Sequence, residues 1–329
     1  MKSCVLALAI CSAAFIPSRA AEPRIVEVKK IWDRAPHNAF TDLIRYHDEW
    51  FCVFREGAKH VAPDGALRVL TSKDGNTWTS AALITNATAD LRDAKIVITP
   101  DDRLMLNGAG AIHQPSPVKH QTMAWFSKDG RNWSAPVNIG ETNNWLWRVT
   151  WHKGVAYGVG YGTVGPKLAR LYRSDDDRSF KPLIPSFFTN GFPNESTLLF
   201  QPDDTGLCLL RRDNYGATNT SASGQLGIAR PPYTDWKWKD LGVKIGGPNF
   251  LRLPDGRLVA AVRLYDGPVR TSLAWLDADK GRLQEFLKLP SGGDCSYAGL
   301  AWHEGMLWVS YYSSHEGKTA IYLAKVKVD

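Results

Sequence analysis

Six polar residues, Asp42, Asp93, Arg148, Glu195, Asn249 and Tyr297, recur along the chain at a spacing of about 50, each just ahead of an apolar run. Carboxylates, an arginine, an amide and a phenol gathered on one face would supply acids, bases and hydrogen bonds for work on a polar small molecule. Two carboxylates, Asp42 or Asp93 with Glu195, would make an acid and base pair. Arg148 stands between Trp147 and Trp151, where a cation–π contact is the structural alternative. A second polar set closes the strands that follow: Arg55 and Glu56, Tyr161, Arg211 and Arg212, Arg263, Tyr311 and Tyr312. Tyr297 itself is delivered by the glycine-rich stretch Ser291-Gly-Gly-Asp-Cys-Ser-Tyr-Ala-Gly299.

Positioning such a set requires a repeated element. Short runs rich in β-branched and aromatic residues, broken by Gly, Asp, Asn and Pro, fill the chain, and no long segment keeps a 3.6-residue apolar period. This predicts an all-β protein. An apolar run, a tight polar turn and a second apolar run recur at Leu43–Phe54, Ile96–Leu106, Val149–Tyr157, Leu198–Leu210, Phe250–Val262 and Leu300–Val309. Six hairpins at about 50 residues have the period of propeller blades. A second phrase, Ser-x-Asp-Gly-x-x-aromatic, follows the hairpin at Ser72–Trp78 and Ser127–Trp133 and, degraded, at Ser174–Phe180. It reads as a turn between the two outer strands, with Asp accepting backbone N–H bonds and the ring packing into the blade. The last unit has three strands, and Arg24–Trp32 is a lone strand without a hairpin, so joining the two closes the ring and removes a sheet edge. The expected fold is one six-bladed β-propeller over residues 21–329, its first strands lining a central channel.

Lys2, the apolar run Val5–Ile16 and Ser18-Arg19-Ala20 fit a signal peptide over residues 1–20, so the mature chain is expected to be secreted or periplasmic. No later apolar segment approaches the length of a membrane span. The chain has 40 basic and 33 acidic residues, and removing Lys2 and Arg19 leaves a surplus of five positive charges. It is spread without runs, so nucleic acid is not implied. Three cysteines, Cys52, Cys208 and Cys295, remain after the leader. They form no disulfide framework, and Cys52 and Cys208 read as small core residues. No metal-ligand spacing, phosphate loop or Gly-x-Ser-x-Gly elbow occurs, so no metal or cofactor is expected. A monomer is expected.

With the repeats, turns and inner ring in view, the chain resembles the sialidase superfamily of six-bladed propeller glycoside hydrolases over nearly its whole mature length. Asn194-Glu195-Ser196, followed by Leu209-Leu210-Arg211-Arg212, is similar to the phrase opening the family's fourth blade. Ser296-Tyr297-Ala298-Gly299-Leu300 stands where the family places a nucleophilic tyrosine, and Phe54-Arg55-Glu56-Gly57 with Asp64 occupies the interval of its acid/base aspartate. The resemblance implies Tyr297 as nucleophile, Glu195 as its base and Asp64 as acid/base. A phenol is a weak nucleophile at its free pKa near 10, and an adjacent carboxylate would take its proton. A neutral nucleophile suits an anomeric carbon that bears a carboxylate, which an anionic one would repel.

The family clamps that carboxylate with three arginines, the first from an Arg-Ile-Pro phrase. Here Thr41-Asp42-Leu43 stands in its place, with Arg211 or Arg212 for the second arginine and Arg263 for the third. The expected activity is therefore exo-hydrolysis of a glycan or polysaccharide at a sugar other than sialic acid, such as a uronic or deoxy sugar. Asp42, Arg55, Asp93, Arg148, Arg211, Arg212, Asn249 and Arg263 would recognise it. Two alternatives stay open. A polysaccharide lyase would use Tyr297, His60 or His315 to remove a proton beside a uronate carboxylate neutralised by Arg148. A non-catalytic sugar-binding propeller would stack sugars on Trp145, Trp147 and Trp151.

Overall fold

The computed structural model describes residues 22–214 and 221–328; the expected signal peptide lies outside them. Among the described residues every regular element is a strand, and the 24 strands form six four-stranded antiparallel sheets. No helix there is long and apolar enough to cross a membrane. The sheets follow the six hairpins read from the sequence and make a six-bladed propeller. The inner strands are His37–Tyr46, Ala89–Ile98, Asn144–His152, Phe192–Phe200, Ile245–Arg252 and Cys295–His303, in blades one to six. The strand Arg24–Trp32 pairs antiparallel with Ala320–Lys327, from Arg24 opposite Lys327 to Trp32 opposite Ile321. It thus supplies the outer strand of blade six, and the chain's beginning and end share one sheet.

Strands buried on both faces carry continuous apolar runs, as in Glu49–Gly57, where Trp50 to Phe54 are all buried. The core lies between blades. Val53, Val69, Leu91 and Leu106 pack across the junction of blades one and two, and Trp50 stacks on Trp308 at 4.4 Å between blades one and six. Cys52, Cys208 and Cys295 are free and buried.

The Ser-x-Asp-Gly turns fasten neighbouring blades. Asp74 Oδ1 accepts the Asn76 and Thr77 amides at 2.8 Å each, and Asp129 does the same for Arg131 and Asn132. Both glycines have left-handed φ, and a Cβ on Gly75 would lie 2.3 Å from the Trp308 ring, one on Gly130 2.1 Å from Phe51. Only glycine permits both that φ and that contact. In the degraded third turn Asp177 takes the glycine's place at φ 60°, and its carboxylate reaches Arg103 of blade two at 2.6 Å.

All six inner strands break register near one end. The breaks fall between Ala39 and Asp42, Arg92 and Lys95, Leu146 and Arg148, Pro193 and Ser196, Gly246 and Asn249, and Ser296 and Gly299. A bulge leaves a residue unpaired and re-aims it. Phe40, Asp93, Gly247 and Tyr297 adopt left-handed φ of 51–63° there. Such strain in non-glycine residues persists only where surrounding structure enforces it, and it gathers at functional sites.

Candidate active site

The bulges bring Tyr297 of blade six onto Glu195 of blade four. The Tyr297 hydroxyl donates to Glu195 Oε1 at 2.5 Å, and both residues are 8% exposed. Arg211 Nη1 donates to both Glu195 oxygens at 3.0 Å and to the Tyr297 oxygen at 3.2 Å. The Gly247 amide donates to Glu195 Oε2 at 2.7 Å. Blade five contributes glycine here because a Cβ on Gly247, at φ +55°, would lie 2.7 Å from the tyrosine ring. Burial opposes the charge on Glu195, but Arg211, the phenol and the amide outweigh it and hold its carboxyl below the usual range. Burial and then Glu195 push the Tyr297 phenol well above its ordinary value. The resting pair is therefore a neutral phenol donating to a carboxylate, the arrangement a tyrosine needs if its proton is to leave as its oxygen attacks.

Aromatic rings surround the phenol. Phe40 stands edge-on to it with centroids 5.1 Å apart, Trp147 lies at 5.8 Å, and the Arg263 guanidinium sits over its face at 5.0 Å. Trp145 and Tyr161 lie nearly parallel at 6.1 Å, and Arg92 is within cation–π reach of both Trp145 and Phe40. Arg92 Nε is buried without a hydrogen-bond partner.

Asp93 occupies the same ring at 5% exposure, without a hydrogen bond or close ion pair among the described residues. Burial lifts its carboxyl to about 6, eased by Arg92 and Lys95 and reinforced by Glu195. A raised folded-state value means that stability from its bound proton is present below about pH 4 and is lost as pH rises through about 6. Asp93→Asn is thus expected to gain on the wild type between these limits, by up to about 3 kcal/mol for a shift of about two units. Urea denaturation at pH 4.5 and 7.5 measures it; an equal gap at both pH values would contradict the assignment.

Of the other residues marked in the sequence, Arg263 stays at the site and the rest lie elsewhere. The ring residue of blade one is Phe40, and Asp42 lies below it, with its Oδ2 accepting from Arg148 Nη1 at 2.7 Å and from the Ile96 amide at 2.9 Å. Lys95 joins that lower layer, its ammonium lowered to about 8 by burial and by Arg148. Asn249 bonds the Ala298 carbonyl at 3.0 Å, joining blades five and six. Arg55 is fully buried under its own loop, against Asp90 at 2.8 Å and the Lys59 carbonyl. Arg212 turns to the other side of its strand, where Ser223 and Asp240 receive it, because side chains alternate and Arg211 faces the ring. Asp64 is exposed, with both oxygens 3.1 Å from the Ala58 amide. Arg263 is held by the Cys295 carbonyl at 2.7 Å, Tyr312 at 2.8 Å and Asp294 at 3.0 Å.

Asp294 and His37 were not marked in the sequence, and His60 only as the candidate base of a lyase. A signal was present for Asp294, three residues before Tyr297 in the same glycine-rich loop, whereas His37 carries none. The ligand-type atoms of the three lie within 4.8 Å of one another, the one such group among the described residues. Asp294 already accepts four donors, among them the permanently charged Arg263. That makes it a hydrogen-bonded anion and not an open cation site.

No family model and no curated protein matches this sequence. Solved structures do match in fold. A protein of unknown function from Dyadobacter fermentans shares 20% identity at a TM-score of 0.81, over 93% of this chain and 99% of that one. The α-L-arabinanase of Penicillium chrysogenum, solved with arabinobiose, shares 13% at 0.68, over 91% and 98%. The sialidase of Trypanosoma rangeli, solved with the inhibitor DANA, shares 11% at 0.64, over 88% of this chain and 55% of that one. The propeller is thus of the kind found in sialidases and arabinan-cleaving glycoside hydrolases.

Proposed function

We propose that the protein is an exported, exo-acting glycoside hydrolase in which Tyr297 attacks the anomeric carbon while Glu195 takes its proton. The observation that carries this reading is the 2.5 Å hydrogen bond from the buried phenol to a carboxylate held ionised by Arg211. Arg211 orients both partners and disfavours protonation of Glu195 until the tyrosine reacts. Asp93, unpaired in the ring, accepts sugar hydroxyls, and Trp145, Trp147 and Tyr161 offer apolar faces to the sugar ring.

The sugar is not sialic acid. Arg211 is committed to Glu195 and, at 2.9 Å, to Asp213; Arg263 is committed to Asp294 and the Cys295 carbonyl. Blade one offers Phe40 where a first arginine would be needed. Arg92, beside Phe40 and Trp145, is left without a short ion pair, so among the described residues one such arginine, and not a clamp of three, stands ready to neutralise a carboxylate on the anomeric carbon. Fold likeness to arabinan-cleaving enzymes supports including furanosides among the candidates.

A second reading uses Asp93 and Glu195 as an acid and base without a covalent tyrosine, favoured by the proton Asp93 retains to about pH 6. The two differ in product stereochemistry. The test is a panel of aryl α-L-arabinofuranosides, neutral and deoxy aryl pyranosides, uronides and a sialoside, with the first product followed by NMR. We expect release of a sugar other than sialic acid with retention at the anomeric carbon. Inversion would replace the tyrosine mechanism with the carboxylate pair, and an ultraviolet-absorbing unsaturated product would indicate elimination.

A further inference from the structure

We infer that the group exchanging the proton with the leaving oxygen is His60, held by Asp294, and not Asp64. This rests on the tyrosine mechanism proposed above. Residues 58–65 connect the second and third strands of blade one, and the side chains of Asp64 and His60 diverge. Asp64 turns back onto its own loop at the Ala58 amide, whereas His60 reaches blade six, where its Nδ1 meets Asp294 Oδ2 at 2.8 Å.

Asp294 is built to hold that ring in one tautomer. His37 Nε2 shares Oδ2 at 3.2 Å, and Oδ1 accepts the Tyr312 hydroxyl at 2.7 Å and Arg263 at 3.0 Å. The Asp294 amide is itself tied to Ser314 Oγ at 2.9 Å. Burial opposes its charge, but these donors outweigh it and keep the carboxyl far below the ordinary range. It therefore stays an acceptor, so Nδ1 of His60 carries the hydrogen and Nε2 is left free. Nε2 has no protein partner among the described residues, and the side chain is 50% exposed. A carboxylate fixing one imidazole nitrogen while the other exchanges protons is the recurrent design of acid/base histidines.

The place suits a leaving group. His60 stands edge-on to Phe40 at 5.2 Å, and Phe40 stands edge-on to Tyr297 at 5.1 Å, so the imidazole is at the open rim one ring from the phenol. Asp93, at 5% exposure, lies deeper, among the charges of Arg92, Lys95 and Glu195. In the first step His60 enters as the imidazolium, Nδ1–H on Asp294 and Nε2 protonated from solvent, and gives the Nε2 proton to the glycosidic oxygen as that C–O bond breaks; the Tyr297 oxygen bonds the anomeric carbon, and its proton passes to Glu195. In the second, neutral Nε2 takes a proton from water as water attacks the same carbon, and Glu195 returns its proton to the departing phenol. Asp294 is a positioning residue throughout.

The experiment uses 2,4-dinitrophenyl, 4-nitrophenyl and phenyl glycosides of the sugar turned over in the panel above, with Tyr297→Phe, His60→Gln, Asp294→Asn and Asp64→Asn. His60→Gln is expected to lose at least about a hundredfold on the phenyl glycoside and far less on the dinitrophenyl one, whose leaving group needs no proton. Asp294→Asn should show the same dependence in weaker form, which a loss of folding would not. A Tyr297→Phe variant as active as the wild type would remove the tyrosine mechanism itself. With Tyr297→Phe inactive, an even loss across all three leaving groups in His60→Gln would overturn the histidine assignment alone. So would a leaving-group-dependent loss in Asp64→Asn without one in His60→Gln.

Discussion

Tyr297→Phe is expected to lower turnover by at least about a hundredfold while leaving the propeller folded. The phenylalanine ring would keep the contacts with Phe40, Trp147 and Tyr312 and the place beneath Arg263. Only the hydroxyl disappears, and Glu195 retains Arg211 and the Gly247 amide. The change therefore isolates one oxygen. Kinetics of the variant beside a denaturation curve would check it; near-normal turnover in a folded variant would take Tyr297 out of the mechanism.

The second large effect concerns stability. Asp42 is 2% exposed, and it is the carboxylate that meets Arg148 across the channel, with the buried Lys95 in the same layer. Removing one partner of a buried pair strands the other charge, which costs about 3–5 kcal/mol. Asp42→Ala is expected to lose that much in urea denaturation, since two cations would remain in the channel. Arg148→Met in the Asp42→Ala background should recover part of the loss. A double-mutant cycle with no coupling between Asp42 and Arg148 would contradict the assignment.

Much of this architecture was legible in the sequence. The six hairpins carried the blade number, and the unpaired strand Arg24–Trp32 foretold the composition of blade six, because apolar runs and tight turns are local signals. The ring was legible where the polar residue sat on the bulge itself, as Asp93 and Tyr297 do. It slipped by two residues in blades one and five, where Phe40 and Gly247 occupy the ring in place of Asp42 and Asn249, and by one in blade three, where the bulge falls on Trp147 and Arg148 drops to the layer of Asp42. The reason is physical: a bulge changes which residues face inward without changing the apolar pattern that follows it. Arg211 and Arg212 could not be separated by type, and alternation along the strand separates them. The loop 58–65 was least legible, since whether Asp64 or His60 reaches the site depends on which one Asp294 receives, a contact between blades at opposite ends of the chain.

The most direct test of the central claim is to trap the covalent intermediate. The protein would be incubated with a fluorinated glycosyl fluoride of the sugar it turns over, digested, and its peptides weighed. One added glycosyl mass is expected on the peptide containing Tyr297, absent from Tyr297→Phe. An adduct on a carboxylate residue instead, or turnover with inversion and no adduct, would contradict it.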